Sequence, residues 1–164
     1  MSTKKIAEYV KQLQAAQADL VAAVEAASEK SLATAPAEDE WSAAQVVGHV
    51  AELQPFWLKK ARSLSTAHPE PLSRTIEEHE SRDIAVDVAT RRTKDALVAS
   101  LRTSNKAALE ILKGMDDDAL KRSGPRWGGE IATADQVIST YVVGHVVQHA
   151  EQLKQALSTP TATT

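Results

Sequence analysis

Three of the five histidines in this 164-residue chain lie on apolar stripes with helical spacing. His145 and His149 are four residues apart, so an α-helix places one imidazole above the other on the same face. His49 lies on a separate apolar segment, between Val46 and Leu53. An i,i+4 pair of imidazoles can share one cation, and a third imidazole from a facing helix completes a tripod. The pattern therefore predicts a single divalent-metal site made of three histidines.

Two other common metal sites do not fit the sequence. The segment His145-Val-Val-Gln-His149 has valine where a zinc protease of the His-Glu-x-x-His type carries its general base. A ferritin-like di-iron site needs a repeated Glu-x-x-His pair, which the chain lacks. The absence of cysteine excludes thiolate zinc sites and cysteine nucleophiles. The remaining histidines, His68 and His79, are predicted to be solvated, although His79 could approach the site.

An ion held by three neutral imidazoles keeps its full charge and at least one open position. It can hold a small thiol as thiolate for attack on an electrophilic carbon, or it can activate water for hydrolysis of an ester or amide. Tyr141, one turn before His145, could donate to a substrate oxygen, or it could be an ordinary core tyrosine. Glu52, three residues after His49, could orient an imidazole or act as a base, or it could be solvated. The alternative from another functional class is a non-catalytic bundle, such as a metal-stabilised stress protein or a dimeric binding module.

Four segments with apolar periodicity predict the helices that carry these residues, namely 4–30, 42–64, 83–113 and 133–157. The second and fourth segments begin with capping boxes, Ser42-Ala-Ala-Gln45 and Thr133-Ala-Asp-Gln136. The third segment is expected to bury Ile84 and Val88. Pro55 lies inside the second segment, where it removes an amide hydrogen bond, so we expect a kink or a break there.

The connection between the second and third helices, residues 65–82, decides the topology. About 17 residues can extend up to roughly 56 Å, enough to cross the bundle and leave these two helices parallel. We therefore predict an all-α four-helix bundle with up-down-down-up topology and a long crossover between helices 2 and 3. The second and fourth helices are then antiparallel. His49, about 10 Å along its helix, meets His149 and His145, about 12 and 18 Å from the end of theirs.

The composition is that of a globular protein, with 43% apolar residues, 25% charged residues and a net charge of −3. We expect one domain over residues 1–157 and a disordered tail over 158–164. The charge argues against nucleic-acid or anionic-membrane partners, and the short cluster of Lys59, Lys60 and Arg62 is predicted to be solvated. No apolar run approaches the roughly 18 residues of a membrane span. Because the N-terminus lacks a signal-peptide pattern, we expect a cytoplasmic protein. The predicted metal site leads us to expect a small-molecule substrate.

The chain resembles the DinB/YfiT-like superfamily from its first helix to Leu157. The matching motifs are Glu40-Trp41-Ser42 before the helix of His49, the turn Pro125-x-Trp127-Gly128, and His145-x-x-x-His149-x-x-Gln152-Leu153. The resemblance implies a helical bundle of up-down-down-up topology whose three histidines, here His49, His145 and His149, hold a divalent ion. Zinc and nickel are the first expectations, with iron and manganese as further candidates.

The resemblance also implies an activity and an assembly. Characterised branches of the superfamily include transferases and isomerases that use low-molecular-weight thiols such as bacillithiol or mycothiol, and many members form homodimers. We therefore expect a thiol-dependent transferase, with a metal-dependent hydrolase as the alternative.

Trp41, Trp57 and Trp127 are interpreted as residues that anchor the packing rather than as an aromatic substrate pocket.

Overall fold

The computed structural model describes residues 2–158, so most of the predicted tail lies outside the described residues. The helices are α1 (Lys4–Ala26), α2 (Glu29–Ala33), α3 (Ala43–Ser63), α4 (Ile76–Ala89), α5 (Lys94–Lys113), α6 (Asp117–Leu120), α7 (Ala134–Val137) and α8 (His145–Ser158). A π-helical segment, Ile138–Gly144, joins α7 to α8. The strands β1 (Ser123–Pro125) and β2 (Ile131–Thr133) form an antiparallel hairpin with the turn Trp127–Gly129 at its tip. No helix within residues 2–158 is long and apolar enough to cross a membrane.

Helix α3 is parallel to α5 and antiparallel to α8. Near the beginnings of α3 and α5, Gly48 and Leu97 line one small cavity, and farther along both helices Gln54 donates to Asn105 at 3.0 Å. In contrast, an early residue of α3, His49, contacts His149 of α8, with ring centroids 4.8 Å apart. The late residue Trp57 instead stacks on a tyrosine that precedes α8.

Helix α1 runs parallel to the last helix and antiparallel to α5. Near the start of α1, Tyr9 donates to Asp135 at 2.6 Å, and near its end Asp19 lies 3.8 Å from Lys154. Glu25, also near the end of α1, pairs with Arg102 in the first half of α5. These directions confirm the predicted four-helix bundle with up-down-down-up topology.

The crossover between α3 and α5 contains a helix that the sequence prediction missed. Thr75 and Glu78 form a capping box that begins α4 inside the segment predicted as a loop, and a turn at 90–93 separates α4 from α5. The predicted single helix 83–113 was therefore wrong. Ile84, expected in the core, is 62% exposed, because α4 turns Val86 and Ala89 inward instead.

Close backbone contact and a buried ion pair attach the crossover to α3. A Cβ at Gly48 would lie 2.7 Å from the carbonyl oxygen of Ala85, so the glycine allows α4 to approach. The Lys60 ammonium is buried and donates to the carbonyl of Ser73 at 2.6 Å and to Glu78 at 3.0 Å. The prediction that Lys60 belongs to a solvated cluster was therefore wrong.

Pro55 does not break α3, which is continuous from Ala43 to Ser63. Proline cannot supply the amide that would bond the carbonyl of Ala51. The hydroxyl of Ser104, on the parallel helix α5, donates to that carbonyl at 2.6 Å instead. A side chain from a neighbouring helix thus satisfies the backbone acceptor that the proline leaves free.

We expect Ser104→Ala to lower the free energy of unfolding by about 1 kcal/mol, because a partly buried carbonyl loses its donor. In a Pro55→Ala background the amide of residue 55 can bond Ala51, so the same substitution should cost less there. Urea unfolding of the four proteins in this double-mutant cycle gives the coupling energy. Equal costs of Ser104→Ala in the two backgrounds would contradict the compensation.

Candidate metal centre

The three predicted ligands come together between α3 and α8. The ring centroid of His49 lies 4.8 Å from that of His149, and those of His145 and His149 are 5.6 Å apart. Three imidazoles that bind one ion with metal–nitrogen distances of about 2.0–2.1 Å have centroids about 5 Å apart. The distances from the His149 ring to the other two rings are therefore close to those between histidines that share one ion.

Burial keeps these imidazoles uncharged near neutral pH. Burial, together with the neighbouring His149, His145, Arg74 and Arg82, lowers the pKa of His49 from 6.5 to about 3. Burial and the charge of His149 also lower the pKa of His145, and burial lowers that of His149. A neutral imidazole has a free nitrogen lone pair, the form that a metal ion requires.

Two ring nitrogens of the cluster are buried without a hydrogen-bond partner, Nδ1 of His49 and Nδ1 of His145. The carbonyl of Tyr141 favours the protonated form of His145, but it makes no hydrogen bond of normal geometry with Nδ1. His149 differs, because its Nδ1 lies 2.8 Å from Oε1 of Gln152. An amide oxygen can only accept, so this contact holds the proton on Nδ1 and leaves the Nε2 lone pair of His149 free.

The cluster fits a divalent ion in its donor chemistry and in its unsatisfied atoms. An unpaired buried polar atom costs about 1–3 kcal/mol, and the cluster contains two of them. Within residues 2–158, no group of three or more His, Asp or Glu side chains is already arranged to hold a metal ion. The three histidines therefore supply donors of suitable chemistry, but their present arrangement is not that of a coordination site.

The π-helical segment Ile138–Gly144 ends directly before His145 and sets the position of the α8 ligands. A Cβ at Gly144 would lie 2.8 Å from the carbonyl oxygen of Ser139, five residues earlier. Glycine therefore accommodates the wider turn, and such turns are frequent at functional sites. The sequence Val-Val-Gly-His-Val occurs twice, at 46–50 and at 142–146. Its two glycines have different roles, since Gly48 accommodates α4.

The structure places Tyr141 beside the histidines. Its ring lies 5.7 Å from that of His145, and it stacks on Trp57 with centroids 5.2 Å apart. Its phenol oxygen accepts a hydrogen bond from Arg126. The hydroxyl hydrogen of Tyr141 therefore stays available for another acceptor.

The structure does not direct Glu52 to an imidazole. Both of its carboxylate oxygens accept from Arg74, at 2.7 and 2.8 Å. The Arg74 guanidinium is 5% exposed and lies over the rings of Phe56 and Trp57, 3.9 and 5.4 Å from their centroids. Glu52 therefore fixes the arginine that covers Trp57, the residue on which Tyr141 stacks.

A cavity of about 690 Å³ opens beside His149, a volume suited to a small ligand. Its lining residues come from the loop before α3 and from the last turns of α8: Pro36, Asp39, Glu40, Trp41, Gln152, Gln155 and Ala156. Trp41 also contacts His49, with ring centroids 5.1 Å apart. The cavity gives the histidine cluster a route to solvent.

The two remaining histidines do not join the cluster. His68 is exposed on the crossover, and His79 contacts Trp127 rather than the three clustered histidines. Trp127 is 64% exposed, so its interpretation as a packing anchor was wrong, whereas Trp41 and Trp57 pack partly against the core.

The sequence prediction assigned no role to Arg74, Arg126 or Gln152. Arg126 and Gln152 lie inside motifs that were available in the sequence, but Arg74 has no sequence signal.

A sequence model of the DinB superfamily matches residues 12–153 of the chain. The mycothiol-dependent maleylpyruvate isomerase is structurally similar, with a TM-score of 0.72 and 16% identity over 93% of this chain and 63% of that one. YfiT from Bacillus subtilis, described as a probable metal-dependent hydrolase with an unusual four-helix bundle topology, has a TM-score of 0.69. It is 20% identical over 98% of this chain and 91% of its own.

These likenesses, at such low identities, show the fold. The chain spans 63% of the length of the isomerase. A comparison with curated protein sequences gave no match.

Gln152→Ala should weaken zinc binding by about 10–100-fold, because the substitution removes the acceptor that fixes the His149 tautomer. The matched control is Gln148→Ala, which truncates an exposed glutamine on the same helix. Competition with a coloured chelator near pH 7 measures both affinities. Equal zinc affinities of the two variants would contradict a role for Gln152 in holding the ligand.

The metal-free protein should lose stability as the pH falls below about 6.5. The unfolded chain protonates its histidines near that value, whereas the folded chain protonates His49 only at about 3, so acid favours the unfolded state between them. Urea midpoints in chelator, measured from about pH 7 to about pH 5, should decline. The decline of the urea midpoint should be smaller in His49→Leu than in the wild type. In His68→Gln, which removes an exposed histidine, the decline should be as large as in the wild type. A midpoint independent of pH would exclude buried neutral imidazoles.

Proposed function

Since this chain belongs to the DinB superfamily, we propose that it is a metal-dependent enzyme in which His49, His145 and His149 hold a divalent ion. Zinc and nickel are the first candidates, because imidazole nitrogen is a good ligand for both. The proposal rests mainly on one observation, the packing of three half-buried, neutral imidazoles from two antiparallel helices, with two buried Nδ1 atoms that have no hydrogen-bond partner. The homodimer and the cytoplasmic location remain predictions.

The proposed reaction is the transfer of a small thiol to an electrophilic carbon. A divalent ion on three neutral ligands would supply the positive charge that keeps a thiol deprotonated at neutral pH. The chain has no cysteine, so the thiol is a co-substrate of low molecular weight. The isomerase of similar fold is described as mycothiol-dependent, which supports a co-substrate of this class.

Residues of the chain would bind and orient the two reactants. The hydroxyl of Tyr141 donates to the substrate oxygen that gains negative charge as the sulfur–carbon bond forms. The stack of Trp57 on Tyr141 holds that hydroxyl in place. Glu52 is a positioning residue, since it acts through Arg74, which lies over Trp57. The cavity beside His149 admits the substrates.

Hydrolysis of an ester or amide is the second candidate reaction. It is supported by the likeness to YfiT, which is described as a probable metal-dependent hydrolase. The same three histidines and the same hydroxyl of Tyr141 would serve, with water in place of the thiol. The two reactions therefore differ in their dependence on added thiol and not in their site residues.

Elemental analysis of protein purified without an affinity tag tests the site. We expect about one zinc or nickel ion per chain in the wild type, loss of the ion in His145→Ala, and retention in the matched His68→Ala variant. Turnover of a chlorodinitrobenzene and of a nitrophenyl ester, each with and without a small thiol, then tests the reaction. Activity only with thiol supports transfer.

Each outcome of this experiment has a separate meaning. Ester hydrolysis without thiol, lost in His145→Ala, would favour the hydrolase. Bound metal without turnover in either assay would favour the non-catalytic, metal-stabilised bundle. Equal metal content of His145→Ala and wild type would reject the three-histidine site.

A further inference from the structure

Arg126 projects from a rigidly held hairpin towards the candidate site. Its amide donates to the carbonyl of Glu130 at 2.8 Å, which closes the hairpin turn. The carbonyl of the preceding residue, Pro125, accepts from the amide of Leu72 at 2.8 Å, and Leu72 is buried. The hairpin is therefore fixed to the crossover, and the Arg126 backbone has a defined position.

The guanidinium of Arg126 lies over Tyr141 without an acidic partner. It donates to the Tyr141 hydroxyl oxygen, and its Cζ is 5.2 Å from the centroid of that ring. No carboxylate in the part of the chain that the structure describes forms an ion pair with it. A neutral phenol oxygen uses one of five guanidinium N–H donors and none of the charge. This half-buried cation is therefore available to an anion.

Arg74, another arginine near the histidines, has a carboxylate partner. It makes a bidentate ion pair with Glu52, bonds the carbonyl of Glu78 at 3.2 Å and stacks on Phe56. The charge of Arg74 is therefore neutralised within the fold. The charge of Arg126 is not paired with a carboxylate among the described residues, so a negatively charged ligand can still pair with it.

We propose that Arg126 binds a carboxylate group of the substrate. This inference rests on the proposed function, because it concerns the substrate of the same site. A guanidinium matches the two oxygens of a carboxylate with parallel hydrogen bonds. The neighbouring Trp127, whose indole is 64% exposed, offers an apolar surface for the carbon skeleton of the bound acid. The substrate class is therefore a small organic acid that carries an electrophilic carbon.

The order of the side chains also gives the bound acid a direction. Arg126 contacts Tyr141, and the Tyr141 ring lies 5.7 Å from the ring of His145. A carboxylate at Arg126 thus leaves the next polar group of the molecule near the Tyr141 hydroxyl and the far end facing the histidines. Arg126 therefore selects and orients substrate and does not take part in bond making.

Binding of benzoate and of the neutral, similarly shaped benzamide tests this inference without any turnover assay. The indole N–H signals of the three tryptophans are followed by NMR during titration of the zinc-supplemented protein, with Trp127→Phe assigning one signal. We expect benzoate to shift the Trp127 signal in a saturable way. Benzamide should bind at least about tenfold more weakly, because it lacks the charge.

Three arginine variants and a metal-free sample locate the bound charge. Arg126→Gln should weaken benzoate binding at least about tenfold, and Arg126→Lys should retain part of it. Arg122→Gln removes the same charge from an exposed position at the base of the hairpin and should leave the affinity unchanged. Removal of the zinc with a chelator should also leave the affinity unchanged, because the carboxylate binds the arginine and not the metal.

Equal affinities for benzoate and benzamide, or an unchanged benzoate affinity in Arg126→Gln, would overturn the inference. Loss of benzoate binding on removal of the zinc would overturn it as well, because the anion would then be a ligand of the metal. Failure of the proposed function gives a different result, namely a protein that takes up no zinc. The Arg126-dependent preference for benzoate over benzamide can be measured in either case.

Discussion

The antiparallel packing of α3 against α8 is the constraint on which the candidate site depends. Because the two helices run in opposite directions, His49 near the start of α3 faces His149, and Trp57 near its end faces Tyr141. Reversal of either helix would separate both pairs by several turns. The long crossover makes this direction possible, since it returns the chain to the other end of the bundle before α5 begins. Within it, α4 packs on α3 at Gly48.

Within residues 2–158, two histidine nitrogens are the only buried side-chain polar atoms without a hydrogen-bond partner. Even the carbonyl of Ala51, which loses its helical partner to Pro55, receives a hydrogen bond from Ser104. In contrast, Nδ1 of His49 and Nδ1 of His145 have no partner. Because an unpaired buried polar atom destabilises a fold, a ligand for these imidazoles accounts better for their positions than packing does. The same reasoning distinguishes Arg74, whose charge is paired with Glu52, from Arg126, which has no carboxylate partner among the described residues.

The sequence predicted the helices best where local signals were strong. The capping box at Ser42 and the apolar stripes placed α3 and the last helix nearly as they are found. The capping box at Thr75 was an equally strong signal, and its neglect left α4 undetected and Ile84 assigned to the core. The continuity of α3 through Pro55 could not be predicted, because the compensating donor lies on a different helix.

The sequence by itself determined the all-α class, the bundle topology and the place of three histidines on apolar helix faces, because periodicity, caps, loop length and i,i+4 spacing can be read from the chain alone. Tertiary structure alone decided the partners of the charged side chains. Glu52 looked like a candidate base, but Arg74 occupies both of its oxygens. Arg126 looked like an ordinary loop residue, but the hairpin places its guanidinium on Tyr141. Charge pairing depends on distances between segments remote in sequence, and only the packed fold sets those distances.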